Sequence, residues 1–136
     1  MSNLMMQIDE FLEELLGPVV GELGVQVARY IVREWNPDTH KIMIGGGLKT
    51  LADKIGMTGR GRIEELSAVL DALSELRLEC QGLDTWLLMW SRTPRAIFLT
   101  VGPGLDAPSL ETLMRVHLED RAQVRLTRMR IVRVRA

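Results

Sequence analysis

The sequence predicts an α+β fold, and three observations carry that prediction. Over several stretches apolar residues recur at spacings of three and four, as in helices with one buried face. Between residues 85 and 101 they alternate instead, in two runs separated by a turn, as in a hairpin. The chain of 136 residues is 46% apolar and 26% charged, enough to bury one core and too apolar for disorder.

Leu4 to Leu16 reads as a helix, with Ile8, Phe11, Leu12 and Leu15 on one face. Gly17-Pro18 should break it, since proline can open a following helix at its first position. The second helix is expected to run to about Trp35 on Val20, Leu23, Val27, Ile31 and Trp35, with Gly21 and Gly24 permitting close packing. Asn36-Pro37-Asp38 ends it in a turn. Lys41-Ile42-Met43-Ile44 reads as a strand stub before Gly45-Gly46-Gly47. A short helix follows at Leu48–Ile55, with Leu48, Leu51, Ala52 and Ile55 at i, i+3, i+4 and i+7.

Residues 56–61, Gly-Met-Thr-Gly-Arg-Gly, form a turn. The next helix, Arg62 to Leu76, has the clearest stripe: Ile63, Leu66, Val69, Leu70, Leu73 and Leu76. Trp86, Leu88 and Trp90 then alternate with Thr85, Leu87 and Met89. Residues 91–95 turn, and Ile97, Leu99 and Val101 alternate with Phe98 and Thr100. Pro108–Leu118 reads as a helix with Leu110, Leu113, Met114 and His117 on one side. A β-like stretch from Val124 to Val134 closes the chain.

Helix, strand stub, short helix, turn, longer helix, strand, loop, strand is the order of a winged helix-turn-helix core, whose two-stranded wing follows the recognition helix. The run Leu48-Lys49-Thr50-Leu51-Ala52-Asp53-Lys54-Ile55-Gly56 resembles the LxxLAxxxG first helix of many bacterial helix-turn-helix proteins. Residues 62–73 resemble the second helix that feeds a wing. The segment from Trp35 to Gly104, about half the chain, is similar to the first winged-helix domain of plasmid replication initiators. The expected organisation is one domain over 1–136: an N-terminal helix at 1–17, a winged-helix core at 18–104, and a C-terminal helix and basic strand at 105–136.

Charge is unevenly spread. Ten basic against sixteen acidic side chains give residues 1–114 a net −6, whereas seven Arg against Glu119 and Asp120 give the remainder +5. An acidic body with a basic end suits self-association or an anionic partner, and equally a strand edge blunted by charge. For binding double-stranded DNA, the cations stand where a winged helix needs them. Lys49 and Lys54 lie on the short helix, Arg60 and Arg62 at the start of the long one, and Arg92 and Arg95 at the wing tip. Against it, the polar face of the long helix carries Glu64, Glu65, Asp71 and Glu75, and carboxylates facing a phosphate-lined groove cost affinity. The expectation is therefore a small DNA-binding regulator or replication-associated factor, acting as a homodimer. The alternative is a winged-helix protein-interaction module in a larger complex that does not touch DNA.

Other chemistry fits less well, and the expectation is a non-enzyme without cofactor or metal. Residues 45–50, Gly-Gly-Gly-Leu-Lys-Thr, interpose Leu48 where a phosphate-binding loop needs Gly-Lys-Thr contiguous. His40, His117 and Cys80 have no metal-ligand spacing. Glu64 and Glu65 diverge by about 100° on a helix and cannot readily flank one substrate. Glu119-Asp120 reads as solvated charge at a helix end. Trp86 and Trp90 would share a strand face, where stacking on bases competes with burial against the long helix. One cysteine excludes an internal disulfide. No apolar run reaches the ~18 residues a membrane span needs. A cytoplasmic setting without membrane association is the resulting expectation.

Overall fold

The computed structural model describes residues 3–80, 83–119 and 124–128. Mixed α and β structure is what it shows: four helices and two small antiparallel sheets among those residues. The elements run α1 (Asn3–Glu34), β1 (Lys41–Gly45), α2 (Leu48–Lys54), α3 (Arg62–Glu75), β2 (Leu76–Cys80), β3 (Leu83–Trp86), β4 (Leu88–Arg92), β5 (Ala96–Val101), α4 (Ala107–Glu119) and β6 (Val124–Arg128).

Helix α1 is two arms folded on one another. A straight helix would put Asp9 and Arg29 about 30 Å apart. Arg29 Nε instead lies 3.7 Å from Asp9 Oδ1, and Arg33 donates to Asp9 Oδ2 at 2.8 Å. The reversal falls at Gly21, whose φ of 73° with ψ of −177° is open essentially only to glycine. The break expected at Gly17-Pro18 is therefore displaced. Pro18 lies inside the first arm, where it forfeits one intrahelical bond without ending the helix. Just past the reversal Gly24 is buried, and a Cβ there would collide with Val20.

The same segment corrects the expectation about membrane-spanning length. Leu4–Glu34 is long and apolar enough to cross a bilayer by length and composition, with an 18-residue window of mean hydropathy 1.3. A core helix passes the same test. Here the Gly21 reversal divides the segment into arms that bury Ile8, Leu12, Leu16, Val27, Ala28 and Ile31 against the rest of the chain.

The first sheet has the order β1-β5-β4. Ile42 pairs with Leu99 and Ile44 with Ile97, all four turned inward, and Leu88 pairs with Val101. The second sheet, β3-β2-β6, was not expected as such. Strand β2 follows α3 directly, and its alternation of Leu76 and Leu78 with Arg77 and Glu79 is too short to stand out behind a fourteen-residue helix.

The expected strand through Thr85–Trp90 is thereby split. Leu87 and Leu88 are both fully buried, which breaks the two-residue period. At that point the chain leaves the second sheet for the first. The hairpin loop shortens to 93–95, where the Thr93 hydroxyl oxygen accepts the amides of Arg95 and Ala96. Strand β6 covers the first five residues of the expected C-terminal strand, and residues 129–134 of that expectation lie outside the described ones.

One continuous core joins both arms of α1, helices α2 and α3, and strands from both sheets. Helix α4 docks on it through Leu110 and Met114. Its start is set by the buried Asp106, whose carboxylate accepts both the amide and the hydroxyl of Ser109.

Candidate nucleic-acid interface

The α2–turn–α3 unit is held by its own charges. Gly61, at φ 80°, precedes α3 in the left-handed conformation and lets the turn close. Arg62, the first residue of α3, then reaches back to α2. Its guanidinium donates to Asp53 Oδ1 at 2.9 Å and to the Met57 carbonyl at 3.3 Å. Arg62 is thus a tie between the two helices, and its cation is already partnered. Its neighbour Arg60 is exposed at the turn.

The remaining expected cations fall into two places. Lys49 is exposed near the start of α2 and Arg95 at the hairpin tip. The Gly46 amide donates to the Arg95 carbonyl at 2.9 Å, tying the tip to the chain that leads into α2. Arg92 is exposed on β4, its guanidinium 6.0 Å from the centre of the Trp90 ring. Lys54 stands apart. It lines a separate cleft with Tyr30 and Glu34 of α1. In that cleft burial, and then the Glu34 carboxylate, push the Tyr30 hydroxyl above its ordinary value, so it stays protonated at neutral pH.

The outer face of α3 is partly occupied. Trp90 Nε1 donates to Asp71 Oδ1 at 2.9 Å, pinning β4 to the helix. Ala68, Asp71, Ala72 and Glu75 border a cleft of about 300 Å3, closed on the other side by Val19 and Val20 beside the α1 reversal. Glu64 and Glu65 are exposed in the first turn, where the helix dipole favours negative charge. Their position has a structural reason that makes no use of bases.

Trp86 and Trp90 serve packing. They do not share a strand: Trp86 ends β3 in one sheet, and Trp90 sits in β4 of the other. A Cβ on Gly102 would come within 2.6 Å of the Trp86 ring. The glycine triplet before α2 is a tight connection, because the Gly46 amide serves Arg95 and the Gly47 amide serves Ile44. His40 is exposed, 5.1 Å from the Trp35 ring. The side chains of Cys80 and His117 lie outside the described ones. Among the described residues no group of three or more His, Cys, Asp or Glu is placed to hold a metal ion.

Comparison with protein-family models, with curated proteins and with solved structures returns no match.

Proposed function

We propose that this chain is a winged-helix protein that binds duplex DNA through its hairpin tip and the turn between α2 and α3. The observation that supports the reading is the strand order β1-β5-β4. A strand between the first helix and the helix pair joins the second strand of the later hairpin, as a winged helix requires. In this arrangement Arg92 and Arg95 on the wing, Arg60 at the turn and Lys49 on α2 are exposed cations available to phosphates. Arg62 supports the turn through Asp53, and Lys54 belongs to the Tyr30–Glu34 cleft. Binding would therefore rest on backbone contacts, with little base reading by the acidic face of α3.

The test is fluorescence anisotropy of a labelled random duplex over a series of salt concentrations. Wild-type protein is expected to bind with an affinity that falls steeply with salt. Replacing both Arg92 and Arg95 by Ala should flatten the log–log slope by about 0.9 for each phosphate that is no longer neutralised. Absence of binding at low salt overturns the proposal.

A second reading, a protein-interaction module, is favoured by one observation. The face a recognition helix would present is acidic at Glu64 and Glu65 and partly covered by Trp90 and the α1 reversal. Loss of a protein partner on Glu64→Lys/Glu65→Lys, with no DNA binding by wild type, would select it.

A further inference from the structure

Strand β1 is an edge strand whose centre carries no charge, proline or bulge. Hydrogen bonds run from the Val101 amide to the His40 carbonyl and from the Gly46 amide to the Arg95 carbonyl. Since antiparallel partners alternate, the even-numbered residues 40, 42, 44 and 46 face β5, and Lys41, Met43 and Gly45 point their amides and carbonyls outward. Among the described residues no other element bonds to those three. Edge strands are commonly blunted by central charges, proline or a bulge. Here the central residue is Met43, 69% exposed.

The space beside this edge and the face above it both have self-complementary character. A cleft of about 550 Å3 lies along β1, walled by Tyr30 and Glu34 of α1 and Thr50 and Lys54 of α2. It holds one carboxylate together with the ammonium groups of Lys41 and Lys54. On the outer face of the sheet Met43 lies opposite Phe98, with Met89 one strand further, and all three are exposed.

We propose that β1 is a self-association edge, at which two copies of this chain pair β1 to β1 about a twofold axis through Met43. The register that pairs all three outward-facing residues sets Met43 against Met43 of the second copy and Lys41 against its Gly45. Each such pair exchanges two backbone hydrogen bonds. No like charges stand opposite one another. The two sheets join into one of six strands, and Met89, Phe98 and Met43 continue into the same apolar stripe of the second copy. About such an axis Glu34 of each copy is offered the lysines lining the other's cleft, so the isologous contact brings opposite charges together, with two carboxylates against four ammonium groups.

The experiment is sedimentation equilibrium of the full chain, with far-UV circular dichroism as the folding control. Wild type is expected to dimerise. Met43→Lys and Met43→Glu each place like charges opposite one another at the axis and should weaken the dimer at least tenfold. An equimolar mixture of the two should restore it, because the register puts Lys opposite Glu. Met43→Pro removes only an outward amide, leaves the β5 ladder intact, and should also weaken the dimer. A monomeric wild type overturns the proposal. So does a dimer that both charged variants leave intact, or a mixture that stays monomeric while wild type pairs.

Discussion

At the scale of single residues, backbone conformation and burial decide more than charge does. Gly21 carries the reversal of α1 in a conformation other residues reach only under strain. Gly21→Ala should therefore lower stability by about 1–3 kcal/mol in urea unfolding, with the arms still paired through Asp9 and Arg33. Tyr30 makes a pH prediction. Its folded-state pKa lies above the ordinary value of 10, so folding favours the protonated hydroxyl. That contribution is fully present below pH 10 and is lost as pH rises through the raised value. Thermal unfolding should show a decline at alkaline pH that Tyr30→Phe reduces. Arg62 shows how an expected phosphate contact becomes a structural one: the acid that engages it, Asp53, lies nine residues back across a turn. A basic residue at a helix start with an acid on the preceding helix is a signal for that outcome, and its distance in sequence obscures it.

At the scale of elements, the α2–turn–α3 unit and the second sheet each make a prediction. Arg62→Gln should cost under about 1 kcal/mol, the range for a pair with one exposed partner. On the proposed function it should leave the salt slope of DNA binding unchanged, which separates it from Arg92 and Arg95. Deleting residues 121–136 removes β6 from its pairing with β2 and uncovers an edge of the second sheet. Reduced stability in chemical denaturation, without a change in oligomeric state, is the expected result. A change in oligomeric state would assign the basic end to contacts between chains.

The whole molecule is organised around one core into which both sheets and both arms of α1 are packed. Trp90 ties that core to the surface through Asp71, so its share of the fluorescence, beside those of Trp35 and Trp86, samples the contact between β4 and α3. Unfolding followed by fluorescence and by far-UV circular dichroism should give coincident transitions, as expected when no part retains a core of its own. Separated transitions would show a populated intermediate. The charge asymmetry also belongs to this scale. The body carries −6 over residues 1–114, so exposed cations at the hairpin and turn stand out locally against an acidic background.

What the sequence by itself determined is the set of buried faces. The stripe through Leu66, Leu70 and Leu73, the triplet Leu48, Leu51 and Ala52, and the alternation through Ile97, Leu99 and Val101 all lie inward in the fold. Hydrophobic periodicity is a local property, and burial follows it directly. Breaks and partners were decided only in three dimensions. Gly21 rather than Pro18 reverses α1, because the paired arms use a conformation that glycine alone supplies. Leu87 and Leu88 are both buried because the chain passes there between two sheets, an event no two-residue period encodes. Among the site cations, residue type placed six on plausible surfaces, but their fates depend on acids distant in sequence. Asp53 engages Arg62 and Glu34 shares a cleft with Lys54, whereas Lys49, Arg60, Arg92 and Arg95 remain exposed. Such neighbours are set when the tertiary fold brings helices together, and the linear spacing of the residues marks them only faintly.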